Sequence, residues 1–214
     1  AREATCHREV DLNRRLAHDV YFGVLDLVDE AGEPVDHVVD MARMPDDRRL
    51  SRCVERGDDV DDALRAAAHA VAALHAGSSH DPVHDRSATR DAVLGRWTDG
   101  FDQVRSLATD AATAEGMAEM EDLAVRYLAG RAPLFDERIR QGWIRDGHGD
   151  LQAEDIFLLD DGPRILDCIE FGDEYRWGDV LSDVGFLAMD LERLGRPDLG
   201  QMFLQLHREL CADT

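Results

Sequence analysis

The stretch Asp146-Gly147-His148-Gly149-Asp150-Leu151-Gln152-Ala153-Glu154-Asp155-Ile156-Phe157-Leu158-Leu159-Asp160-Asp161-Gly162-Pro163-Arg164-Ile165-Leu166-Asp167 decides how this chain of 214 residues is read. Its first five residues make a tight acidic loop with glycine on both sides of His148. Ile156 to Leu159 is a run of strand formers, Asp160-Asp161-Gly162 is turn chemistry, and Arg164 to Ile169 reads as the return strand. A turn centred near Asp161 and Gly162 places Asp155 opposite Cys168, one position from Asp167. Asp150 lies on the loop leading into the same open end. Three carboxylates at one point repel unless a cation sits between them. Hard oxygen ligands with room for water suit Mg2+, usually completed by substrate phosphates. The competing reading is a set of solvated loop acids in an acidic chain. The glycines around His148 favour the site, because strained loops carrying acids cluster where chemistry is done.

Upstream of this stretch the pattern is mixed, then helical. Arg2 to Leu16 has the spacing of an amphipathic helix, with Val10, Leu12 and Leu16 among its apolar positions. Val20 to Val28 and Val35 to Met44 are strand-like and joined by the turn Glu30-Ala31-Gly32-Glu33-Pro34, which predicts a hairpin. Pro45-Asp46-Asp47 closes it and opens a short helix to about Arg56. Asp58 to His75 carries Val60, Leu64, Ala68, Val71 and Leu74 at helical spacing, and Gly77 is its stop. A loop follows to Ser87. Thr89 to Leu107 and Thr113 to Gln141 read as helices, and Pro133 is expected to kink or split the second. Downstream, Gly178 to Leu194 is a helix, Gly195-Arg196-Pro197 breaks it, and a last helix runs from about Asp198 to Leu210. The class is α+β.

Composition limits the chemistry. The net charge of −22 opposes binding to nucleic acid or anionic membrane and is compatible with a cationic small molecule. All 24 basic residues are arginine, so a Walker A lysine and a Schiff-base amine are both excluded from this chain. Cys6, Cys53, Cys168 and Cys211 form no C-x-x-C pair, which argues against a zinc site. No run approaches the ~20 apolar residues needed to span a bilayer, and Ala1 to Leu16 is too charged for a signal peptide. A cytoplasmic location is expected.

The run from His148 to Ile156, followed by Ile165-Leu166-Asp167, resembles the aminoglycoside phosphotransferase and choline kinase-like family, relatives of the protein kinases, which typically reads HGDLHxxN, a short hairpin, then I-D-x. The pairs Gly178-Asp179 and Ser182-Asp183 fit the same pattern. The resemblance is closest to the phosphotransferase-like part of actinobacterial proteins in which it is fused to a P-loop kinase-like domain. Leu12 to Leu16, Met41 to Pro45 and Asp167 to Phe171 carry that closer likeness. It implies a protein kinase-like fold: residues 1–45 as a partial N-lobe (an αC-like helix, a two-stranded hairpin and a hinge), and residues 46–214 as a mostly helical C-lobe with the catalytic β-hairpin.

It also implies roles. Asp150 would be the catalytic base and His148 a brace for its loop. Asp155, where the family has Asn, and Asp167 would hold Mg2+. Glu9 would be the αC glutamate that pairs an ATP-binding lysine, and Val39 to Met44, with Val39 and Met41, the strand that receives adenine. Asp173, Glu174 and Asp179 could draw a cationic acceptor, although Asp179 and Asp183 are equally placed to cap a helix. Two departures stand out. Asp155 adds negative charge at the metal, and the family's lysine-bearing strands would lie upstream of the first helix, so a longer protein is expected. The expected function is Mg2+- and ATP-dependent transfer of phosphate to a small-molecule hydroxyl of the aminoglycoside, sugar or amino alcohol class. The alternatives are a catalytically degenerate kinase-like binding domain and, more distantly, a two-metal phosphohydrolase.

Overall fold

The computed structural model describes residues 2–107 and 111–211, with side chains from 115 onward in the second segment. Helix α1 (Arg2–Asn13) stops before Leu16 because Asn13 turns the chain: its carbonyl accepts from the amides of Leu16 and Ala17 at 3.1 and 2.9 Å. Strands β1 (Tyr21–Val28) and β2 (Pro34–Met41) then form the expected antiparallel hairpin. Its turn is built by Asp29, whose Oδ1 accepts from the amides of Ala31 and Glu33. Strand β2 ends at Met41, three residues short of the expected Met44, and 42–44 continue as irregular chain.

Helices α2 (Leu50–Arg56) and α3 (Asp61–Gly77) follow. The segment expected as plain loop contains the single turn α4 (Pro82–Asp85), capped by the Asp81 side chain. Helices α5 (Arg90–Leu107), α6 (Ala111–Leu128) and α7 (Ala132–Arg140) come next. Pro133 splits the long helical segment, since it is tolerated only in the first turn of α7. Strands β3 (Ile144–Asp146), β4 (Ile156–Leu159) and β5 (Gly162–Ile165), the turn α8 (Asp173–Arg176), strand β6 (Trp177–Asp179) and helices α9 (Val180–Arg193) and α10 (Pro197–Cys211) complete the chain. The class is α+β, with β1–β2, β3–β6 and β4–β5 as three separate two-stranded sheets.

The contacts divide the chain into two units. Unit 1 comprises Ala1–Ser79, Asp146–Arg176 and Val180–Thr214, and unit 2 comprises His80–Arg145 and Trp177–Asp179. The boundary read from the sequence between residues 45 and 46 falls inside unit 1. The chain leaves unit 1 after Ser79 and re-enters at Asp146, and within unit 1 Ser78 Oγ lies 2.8 Å from the Asp146 carbonyl oxygen.

The main core of unit 1 lies between α3, α9, α10 and the β4–β5 hairpin. Leu64, Ala68, Ile156, Leu187, Leu191 and Phe203 are all fully buried there. Helices α9 and α10 approach closely because Gly200 has no side chain; a Cβ there would meet the Ala188 carbonyl oxygen at 2.9 Å. A smaller cluster of Val10, Val20, Tyr21, Phe157 and Leu166 seats α1 and the first hairpin against the second. Unit 2 holds the helices α5 to α7; in it the His84 ring stacks on Trp177 at 4.1 Å and Arg138 forks onto the Asp179 carboxylate. Among the described residues no helix is long and apolar enough to cross a membrane.

Candidate functional site

The loop from Asp146 to Asp155 is shaped by groups far away in sequence. Gly147 allows the approach of α9: a Cβ at this position would run into Asp183 Oδ2. Gly149 has φ 93°, and a Cβ there would lie 3.1 Å from both Ile169 Cδ1 and the Tyr175 carbonyl oxygen. Asp183, on the first turn of α9, accepts from the amides of His148 at 2.7 Å and Gly149 at 2.8 Å, and from His75 Nε2 at 2.9 Å. Burial works against its charge, yet the His75 bond and the loop amides hold its carboxyl below the usual carboxylate range. Asp190, two turns along the same helix, accepts from the Ala153 amide at 3.0 Å. Arg15 donates to the carbonyls of Asp146 and Gly147 at 3.1 and 2.8 Å. The loop is thus pinned at both ends by one helix and clamped from the other side by an arginine.

His148 is buried and its Nε2 lies 2.9 Å from the Leu166 carbonyl, so its ring ties the loop to the end of the second hairpin. Burial pushes its pKa down and keeps the imidazole neutral. Asp150 is half-buried and accepts from Gln152 Nε2 at 2.9 Å.

The β4–β5 turn sits one residue earlier than expected, which shifts the cross-strand partners by two residues. Leu159 pairs with Gly162 and Ile156 with Ile165, so the turn is Asp160–Asp161 and Asp155 faces Leu166 rather than Cys168. The Leu166 amide donates to the Asp155 carbonyl at 2.9 Å. Asp167 remains one position from the residue that faces Asp155. The return strand stops at Ile165 instead of reaching Ile169, because Asp167 has φ 65°, the single non-glycine left-handed residue among those described. That conformation costs an L-residue about 1–2 kcal/mol, less for Asp than for most, and cannot continue a ladder.

Asp155 and Asp167 line one cleft of about 770 Å3, together with Glu9, Met41, Met44 and Phe157. The size is that of small-ligand pockets. Val39 stands apart, half-buried against the small core cluster behind the cleft. Burial, then the charges of Asp167 and Asp150, push the Asp155 carboxyl up to about 7. Burial and the charges of Glu170 and Asp167 raise Glu9 as well. Among the described residues no group of three or more His, Cys, Asp or Glu side chains is arranged to hold a metal ion. The expected convergence of three carboxylates is therefore corrected to a pair: Asp155 and Asp167 share the cleft, while Asp150 lies outside its lining, although its charge reaches Asp155. Of the acids expected to draw a cation, Asp173 is bound to Arg8 and Arg176 and Asp179 to Arg138; Glu174 is exposed.

The sequence reading missed Asp183 as an anchor, along with Asp190, His75 and Arg15. A signal was present. Val180, Val184, Leu187 and Leu191 make the apolar stripe of α9, and Asp183 and Asp190 fall within it, where a solvated acid has no place.

The raised Asp155 has a measurable consequence. Its folded value, about 7, lies above that of an unfolded aspartate, so the folded state binds the proton more tightly. This contribution is fully present below pH ~4 and is lost as pH rises through ~7. Asp155→Asn removes the loss. The variant is expected to gain about 1–2 kcal/mol over wild type at pH 8, after discounting for solvent screening, and little at pH 5. Urea denaturation at the two pH values checks this; an unchanged difference between them contradicts it.

No family model matches the chain. An uncharacterized protein of Mycobacterium bovis and two of Mycobacterium tuberculosis are each 40% identical to it over 213 residues. The match spans 100% of this chain and 43% of theirs, so the chain covers less than half the length of these relatives.

Proposed function

We propose that this chain is the kinase-like part of an ATP- and Mg2+-dependent phosphotransferase that acts on the hydroxyl of a small molecule. The observation that carries the reading is the pair Asp155 and Asp167 in one ligand-sized cleft, at the end of a hairpin tied by His148 to the loop that presents Asp150. The acidic hairpin motif and its likeness to the aminoglycoside phosphotransferase and choline kinase-like family support it.

The residues fit a divalent cation with phosphate as co-ligand. Burial first, and then the charges of Asp167 and Asp150, raise Asp155 to about 7, and a cation between the acids would offset those charges. Asp155 and Asp167 would hold Mg2+, with water and nucleotide phosphates completing its oxygen shell. Mg2+, when bound, offsets the charge that develops on the transferred phosphoryl group.

The rest is positioning. Met41 to Met44 at the end of β2, with Phe157 and Leu166, give the cleft an apolar wall suited to a flat base. Asp150 orients the acceptor hydroxyl and takes its proton late in transfer, a role that needs no raised pKa. His148 stays neutral and braces the loop. An amine-bearing acceptor agrees with the net charge of −22.

A second reading, nucleotide binding without transfer, is favoured by the added negative charge at position 155. Titration of Mg·ATP by calorimetry into the longest native form of the protein, followed by a labelled γ-phosphate transfer screen against sugars, aminoglycosides and amino alcohols, separates the two. Binding with transfer is the expected result. Binding without transfer to any acceptor leaves the second reading, and no binding overturns both.

A further inference from the structure

A line of buried polar side chains from three helices runs up to the loop. His75 on α3 is 3% exposed, Asp183 on α9 5%, and His207 on α10 fully buried. His75 Nε2 lies 2.9 Å from Asp183 Oδ2, and His75 Nδ1 lies 3.0 Å from His207 Nε2. The two rings meet edge-on, at 76° with centroids 5.2 Å apart.

Proton counting gives this line a direction. Both Asp183 oxygens already accept from the loop amides of His148 and Gly149, so the carboxylate can only accept, and His75 Nε2 must bring the proton. A neutral His75 then has a bare Nδ1, and the group facing that atom, His207 Nε2, must donate to it. With one proton on each ring, donation from His207 Nε2 is the arrangement that satisfies both the His75–Asp183 and the His75–His207 contacts. Among the described residues, the groups around the line include the neutral His148, the Arg15 guanidinium on the Asp146 and Gly147 carbonyls, and the Cys211 thiol 3.5 Å from His207 Nε2. None of these supplies a proton to His75 Nδ1.

We propose that His207 is a positioning residue for the loop that carries Asp150. By donating from Nε2 it holds His75 as the Nε2–H tautomer, and His75 holds Asp183 against the amides of His148 and Gly149. The last helix of the described chain thereby sets the backbone of a loop through two intervening side chains. The effect on the loop stands on geometry alone; its effect on turnover rests on the phosphotransferase reading.

Two-bond 1H–15N imidazole spectra of the wild-type protein at pH 7.5 test the tautomers, and amide exchange at 148 and 149 tests the loop. Both His75 and His207 are expected as neutral Nε2–H rings. In His207→Leu, amide exchange at 148 and 149 is expected to quicken ~10-fold and turnover to fall ~10-fold, with KM for ATP within about twofold of wild type. His207→Gln keeps a donor and is expected to restore most of both; His207→Asn is too short to do so. A His207 ring protonated at Nδ1 alone in the wild type overturns the inference, whether or not the leucine variant folds. Wild-type exchange rates in a folded His207→Leu protein overturn it too, as do equal rates in the glutamine and asparagine variants. If the wild type transfers no phosphate while the spectra and exchange rates come out as expected, the phosphotransferase reading fails and the positioning role stands.

Discussion

Asp150→Asn is expected to cut phosphate transfer about 10^3-fold while leaving Mg·ATP affinity within about threefold of wild type. The split follows from where the carboxylate stands. Asp150 lies outside the lining of the cleft that holds Asp155 and Asp167, so its loss leaves the nucleotide end of the site in place. Its known partner is the short-range bond from Gln152 Nε2, and an amide at position 150 can keep that contact by flipping. What the amide cannot do is take a proton from an acceptor hydroxyl. Single-turnover transfer and calorimetry on the same preparation measure the two quantities. Equal losses in both would place Asp150 in nucleotide binding and remove its role as base.

Asp183→Ala carries the largest expected effect on stability, a loss of about 3–5 kcal/mol in urea denaturation. The substitution strands three donors at once: the amides of His148 and Gly149 and the His75 imidazole, in a region from which water is excluded. Asp183→Asn is expected to lose roughly half as much, since its single amide oxygen can still accept. A loss below about 1 kcal/mol for the alanine variant would mean that the loop finds other acceptors and that the anchor is dispensable.

Much of the fold was legible because its signals are local. The apolar spacing of α3 and the strand–turn–strand pattern at 21–41 and 156–165 each follow from periods that a short window contains. The turn of the second hairpin was placed one residue late, and its cross-strand partners two residues off, because Asp161-Gly162 is the more favoured pair for a two-residue loop. In the structure Gly162, at φ 128°, instead opens β5, and the Arg164 guanidinium ties back to Asp161 across the turn. The left-handed Asp167 that ends the strand carries no sequence mark of its own. The placement of Asp150 was harder still. Its loop has no ladder to fix it, and the groups that do so (Arg15, His75, Asp183 and Asp190) are scattered from the turn after α1 to α9. Asp183 was read as a candidate helix cap because it and Asp179 flank a helix start, whereas its oxygens accept from another segment altogether.

The point where the chain leaves unit 1 and the point where it returns are a single hydroxyl apart, at Ser78 and Asp146. Sixty-odd residues therefore form an excursion whose two ends are already joined in the scaffold that holds the acidic hairpin. Such a splice junction lets the length of the excursion drift at its loops without parting its two ends, while Trp177–Asp179, which belong to the same unit, limit what can replace the rest.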